Sequence, residues 1–185
     1  KLFELLLTKE QIGHILAVLR KHQIPMVLEG PNYIYVDEKD FVDDPYVIYL
    51  RNELGENLKS ITGTAQYEVN KLSAELGNAD VELVRKELGT EFDMIVHEPD
   101  GILEIGQAGH SKASGIERLC ASLGIAKEDT YAFGDSANDV EMLEFVAHGI
   151  AMGNGTDVAK NAAEFVTTDI HKDGIWNGVK HYGLI

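Results

Sequence analysis

The chain has 185 residues, 44% hydrophobic and 25% charged, the composition of a globular protein long enough for one large domain or two small ones. Its formal net charge of -15 argues against nucleic acid or anionic membrane as the main partner, since both demand basic surface; an anionic ligand would need a local positive site. A single cysteine, Cys120, excludes a disulfide framework, and no apolar run reaches the roughly 18 residues of a membrane span. With no signal-peptide pattern, the expected setting is the reducing cytoplasm.

From Thr8 to Lys21, Ile12, Ile15, Leu16 and Leu19 recur at i, i+3, i+4 and i+7, one face of a helix, and Thr8 with Gln11 makes a capping box. Residues 25–29 and 33–36 read as two strands joined by Gly30-Pro31-Asn32, with the tyrosines on one sheet face. Asp37, Glu38, Asp40, Asp43 and Asp44 lack the ligand spacing of an EF-hand and read as a solvated loop. Tyr46 to Leu50 is compatible with a strand or a short helix. A strand is expected over 66–72, then a helix over 80–88 with Val81, Leu83, Val84 and Leu88 inward and Gly89 as its stop. Residues 92–97 and 102–105 form a hairpin around Glu98-Pro99-Asp100-Gly101, where proline presets one dihedral and glycine accepts a positive φ. His97, at a strand end beside this turn, is more simply structural than a ligand.

After Gly109 the pattern changes. A helix over 113–123, with Ile116, Leu119, Cys120 and Leu123 inward, ends at Gly124. Strands over 130–133, 149–152 and 164–167 alternate with helices over 138–147, 156–162 and 174–182, which means βαβ units and a parallel sheet. A domain boundary therefore falls near 106–110. The expected fold is α/β: an α+β module over 1–108, followed by a Rossmann-like parallel sheet over 109–185.

The chemistry concentrates in Tyr131-Ala132-Phe133-Gly134-Asp135-Ser136-Ala137-Asn138-Asp139. A strand ends at a glycine, a carboxylate follows, and a helix begins with Asn138 and Asp139 in its first turn. Ligands bind at the carboxyl edges of such sheets. Two carboxylates and an amide at that edge suit a hard cation that keeps several waters, such as Mg²⁺. The same residues also suit a plain turn with an acidic first helical turn, and the local pattern leaves both readings open. Lys112, in the first turn of its helix, opposes the helix dipole unless an anion sits there; a surface lysine is the simpler alternative. In Gly149 to Thr156, Gly153 and Gly155 read as turn residues and Asn154 as a support for the Asp135 loop.

Gly-Asp-Ser-Ala-Asn-Asp followed by Glu141-Met142-Leu143 resembles the fourth motif of the haloacid dehalogenase superfamily in its Cof-type phosphatases. Lys112 within Gly-His-Ser-Lys resembles the third motif, and Ala151-Met152-Gly153-Asn154, Phe165 to Thr168 and Asp173-Gly174 resemble the usual ending. The resemblance implies a Mg²⁺-dependent phosphatase of small phosphomonoesters, sugar phosphates or phosphorylated cofactors, acting through an aspartyl phosphate. It implies Asp135 and Asp139 at the metal, Lys112 and Asn138 at the phosphate, Lys112 and Asp139 as catalytic residues, residues 1–108 as linker and substrate-specificity cap, and 109–185 as the C-terminal half of the core. The family's nucleophile motif, Asp-x-Asp, occurs nowhere in the 185 residues. The chain starts at Lys1 without an initiating methionine, so an upstream segment of the same core is expected to supply the nucleophile, and this chain alone is expected to be inactive. A non-catalytic split or truncated piece and a phosphomutase-like relative are the rival readings. The oligomeric state is left open.

Overall fold

The computed structural model describes residues 4–37, 41–62, 67–97 and 101–185. They form two compact units, one of residues up to Ala108 and one of Gly109–Ile185.

In the first unit, helix α1 (Lys9–Lys21) starts at the expected capping box: Thr8 Oγ1 accepts the Gln11 N–H at 3.2 Å, and Gln11 Oε1 accepts the Thr8 N–H at 2.9 Å. Strands β1 (Met26–Glu29) and β2 (Ile34–Val36) form the first hairpin. Helix α2 (Pro45–Leu54), capped by Asp44, resolves the ambiguous 46–50 run as helical: proline stands in its first turn, where the missing N–H costs nothing. Strand β3 (Leu58–Ser60), unforeseen in the sequence, runs parallel to β2. Strand β4 (Lys71–Glu75), helix α3 (Val81–Leu88) and the antiparallel pair β5 (Phe92–His97) and β6 (Ile102–Gln107) complete a sheet of order β3-β2-β1-β4-β6-β5. One face of this sheet buries Leu28, Leu72, Leu103 and Ile105 against Ile15, Leu19, Val84 and Leu88 of α1 and α3. On the opposite face Val47 of α2 packs on Val27 and Val36.

Several expectations need correction. The strand placed at 66–72 lies at 71–75 instead; Ser73 and Ala74 are weak strand formers, and pairing with both β1 and β6 overrides propensity there. Gln66 lies outside the described residues, as do Glu38, Asp40 and three of the four hairpin-turn residues, Glu98, Pro99 and Asp100. The fourth, Gly101, has the expected positive φ of 66°. Asp37 is not solvated: it is 1% exposed and accepts a hydrogen bond from Arg20 Nε at 2.5 Å. Leu83 points outward, because the inward stripe of α3 runs through Val84 and Leu88.

The second unit begins with helix α4 (Lys112–Leu123), capped by Ser111 and closed by Gly124 in the left-handed region. Strands β7 (Tyr131–Gly134), β8 (His148–Ala151) and β9 (Phe165–Val166) pair in parallel in that order. Helices α5 (Val140–Phe145) and α6 (Asp157–Ala162) connect them, and α7 (Gly174–His181) follows. A short 3₁₀ turn, Ala137–Asp139, takes the first part of the helix expected at 138–147. The period of α4 was read correctly but its burial was not. Only Ala113 is buried, Ile116 and Cys120 are half-buried, and Leu119 and Leu123 are exposed, so among the described residues no layer covers that stripe.

Candidate active site

Strand β7 carries the chain to its carboxyl edge, and Gly134 lets it turn there. A Cβ on Gly134 would lie 2.6 Å from Asp139 Cβ, so only glycine lets the start of the next helix fold back this tightly. The return places Asp139 under the turn as its anchor. Its Oδ2 accepts the N–H groups of Asp135 at 2.9 Å and Ser136 at 3.2 Å, and its Oδ1 accepts Lys112 Nζ at 2.5 Å. The Asp139 side chain is 6% exposed and that of Lys112 49%. Burial alone would raise the Asp139 carboxyl pKa; the Lys112 ammonium and the two backbone N–H donors outweigh it and hold the group below the ordinary aspartate range. Asp139 is therefore an ionised buried strut.

Asp135 stands differently. Its main chain is clamped: its carbonyl accepts the Thr156 N–H at 2.8 Å and Thr156 Oγ1 at 3.3 Å. Gly155 allows that approach, since a Cβ there would sit 2.9 Å from the Asp135 carbonyl oxygen. The Asp135 side chain is exposed and makes no hydrogen bond or ion pair among the described residues. Asn138 Oδ1 accepts Ser136 Oγ at 2.6 Å. A rigid backbone thus presents one unpartnered carboxylate at the carboxyl edge of a parallel sheet. The ammonium of Lys112 is held one residue contact away, through Asp139.

The four residues singled out in the sequence, Lys112, Asp135, Asn138 and Asp139, are brought onto one loop and the helix end facing it. Asn154 is not part of that support: its Oδ1 accepts the Ile170 N–H at 2.9 Å and so holds the turn after β9. Thr156 does the work expected of it. It was overlooked because a threonine before a helix reads only as an N-cap, a role it also fills for Ala159. Among the described residues no group of three or more His, Cys, Asp or Glu side chains is set to hold a metal ion. The exposed Asp135 carboxylate still fits Mg²⁺, which takes one or two carboxylates and keeps its waters.

The profile of the haloacid dehalogenase-like hydrolases matches residues 1–179, and the chain belongs to that family. It is 35% identical over 138 residues to the 5-amino-6-(5-phospho-D-ribitylamino)uracil phosphatase YitU of Bacillus subtilis, covering 72% of this chain and 47% of that one. It is 30% identical over 193 residues to a phosphoglycolate phosphatase of Halobacterium salinarum, covering 88% of this chain and 85% of the relative. The chain spans about half the length of the Bacillus relative. A hypothetical protein from Geobacillus kaustophilus superposes with a TM-score of 0.79 at 30% identity, over 99% of this chain and 70% of the other. The subclass IIB sugar phosphatase BT4131 shares the fold, with a TM-score of 0.79 at 23% identity, over 100% of this chain and 70% of the other. Among the described residues no helix is long and apolar enough to cross a membrane.

Proposed function

We propose that the protein to which these residues belong is a Mg²⁺-dependent phosphatase of small phosphomonoesters, with residues 1–108 as its cap and 109–185 as part of its catalytic core. The observation that carries this reading is the Lys112–Asp139–Asp135 arrangement: a fixed ammonium and an unpartnered carboxylate on a clamped loop at the sheet's carboxyl edge. Phosphoryl transfer asks for positioning and charge stabilisation more than for covalent chemistry by the protein. Lys112 would meet the phosphoryl oxygens with positive charge, Asn138 would offer its amide N–H, and Asp135 would give a carboxylate oxygen to the metal. Asp139 would keep Lys112 and the Asp135 loop in place, with its spare acceptor capacity directed at the metal's waters. Bound Mg²⁺ supplies neutralisation of the phosphoryl charge. The aspartyl nucleophile of the family mechanism is assigned to none of these 185 residues, which contain no Asp-x-Asp.

The two named relatives act on phosphomonoesters whose remaining parts differ, one ribityl-bearing and one a short carboxylate. Their agreement supports the bond type. A screen of phosphomonoesters with the complete protein, run with and without Mg²⁺ and repeated with Asp135→Asn, tests the reading. Metal-dependent release of phosphate that Asp135→Asn abolishes is expected, and metal-independent turnover would overturn it.

A further inference from the structure

Ser136 lies between Asp135 and Asn138 on the loop after β7, and two separate bonds hold it. Its main-chain N–H donates to Asp139 Oδ2 at 3.2 Å, which fixes the turn. Its hydroxyl donates to Asn138 Oδ1 at 2.6 Å, which reaches a side chain instead.

The hydroxyl has two acceptors within range, and the distances decide between them. Asp139 Oδ2 is 3.5 Å away and already accepts the N–H groups of Asp135 and Ser136. Asn138 Oδ1 is nearer and takes the proton. A separation of 2.6 Å belongs to an O–H···O bond and is shorter than N–H···O bonds run. The end of the Asn138 amide that meets Ser136 is therefore its oxygen. That choice matters chemically, because an asparagine amide has two unlike ends, an acceptor oxygen and a nitrogen carrying two donors. With the oxygen engaged, the NH₂ group lies on the other side of the amide and has no partner among the described residues. Asn138 is only half-buried, so those two donors can be reached from outside.

An amide turned over would put its oxygen where the donors now stand and would repel a phosphoryl oxygen. Among the described residues no other group bonds the Asn138 side chain, so the Ser136 hydroxyl alone selects the orientation. We propose that Ser136 is a positioning residue, whose hydroxyl holds the Asn138 amide with its N–H donors outward for a phosphoryl group. The inference rests on the phosphatase reading for what Asn138 meets. Removing the hydroxyl makes the two orientations comparable and loses one neutral hydrogen bond, which should weaken the contact about fivefold.

Inorganic phosphate titrated into the 185-residue chain with Mg²⁺ present, with the side-chain amide signals of Asn138 followed by NMR, tests this. No turnover is needed, so its failure is distinct from failure of the phosphatase reading. The parent chain is expected to show a phosphate-dependent shift of these signals, and Ser136→Ala to need about fivefold more phosphate for it. Ser136→Thr, which restores a hydroxyl, should match the parent. Ser136→Ala keeps the main-chain N–H on Asp139, and an unchanged backbone spectrum separates a misdirected amide from a misfolded loop. In the complete protein Ser136→Ala should raise KM about fivefold with kcat and Mg²⁺ half-saturation unchanged, since the contact is made both before and during transfer. It should cost nothing further once Asn138→Ala is in place. A complete protein that hydrolyses no phosphomonoester would overturn the phosphatase reading, and the titration would still decide this one. Asn138 signals that ignore phosphate, a Ser136→Ala response equal to the parent's, no recovery in Ser136→Thr, or a further loss on the Asn138→Ala background would overturn the proposal.

Discussion

Lys112 Nζ reaches Asp139 Oδ1 at 2.5 Å from 27 residues away, and the other oxygen of the same carboxylate holds the main chain of Asp135 and Ser136. One buried carboxylate thus couples the start of α4 to the loop after β7. Replacing Asp139 with Ala leaves two backbone N–H groups and an ammonium without their acceptor, a loss of about 2–3 kcal/mol. Thermal unfolding should show it. Lys112→Met should cost less, about 1 kcal/mol, because Lys112 is half exposed and water screens the pair. In the complete protein the order reverses for turnover: Lys112→Met should lower kcat and kcat/KM together. A variant with normal turnover would return Lys112 to a purely structural role.

Acid should release this coupling. The folded-state pKa of Asp139 lies below its unfolded value, so its contribution is fully present above the unfolded carboxyl range near pH ~4 and is lost as pH falls through the depressed folded value. The difference in Tm between the parent chain and Asp139→Asn is therefore expected to be largest near neutrality and to shrink below pH ~4. A difference that grew on acidification would contradict the assignment.

Two glycines in the second unit should respond with opposite sign to the same substitution. Gly155→Ala forces a methyl to within 2.9 Å of the Asp135 carbonyl oxygen and should destabilise by about 1–3 kcal/mol. Gly115, inside α4, has nothing within 4 Å of its added Cβ, so Gly115→Ala should stabilise by about 0.5–1 kcal/mol through helix propensity. Denaturant midpoints of the two variants check both.

Thr156→Val keeps the shape of the side chain and removes the hydroxyl that caps α6 and bonds the Asp135 carbonyl. A cost of about 1 kcal/mol is expected. If the clamp positions Asp135, Mg²⁺ titration of the complete protein should also require more metal in this variant, while Asn154→Ala, which loosens only the turn after β9, should leave that titration unchanged.

What could be read from the sequence was what depends on neighbours along the chain. The capping box at Thr8, the hairpin around Gly101, the stop at Gly124 and the strand-turn-helix at Asp135 are set by residues within a few positions, and all of them stand. What depends on packing partners was not legible. Leu119 and Leu123 obey helical period yet remain exposed, because period says that a helix has an apolar face and not which neighbour covers it. Asp37 looked like one acid among several until Arg20, 17 residues earlier, proved to be its partner. Lys112, Asp135, Asn138 and Asp139 stand out in the sequence through their resemblance to family motifs, since residue type alone leaves a plain turn and a surface lysine open. The clamp by Thr156 comes from 21 residues further on and left only the faint signal of an N-cap.

The position of β4 carries a consequence for how the first unit assembles. Its neighbours are β1, already paired with β2, and β6, already paired with β5; each of those pairs joins strands close in sequence. Hairpins of this kind close in about 1–10 μs, whereas bringing β4 between them closes loops on both sides and buries Leu72 and Ala74 only at the end. The rate-limiting event should be the insertion of this central strand. Truncating Leu72 would then slow folding and hasten unfolding in proportion to how far β4 has docked at the barrier, while a destabilising change in the β5–β6 hairpin would act chiefly on the folding limb.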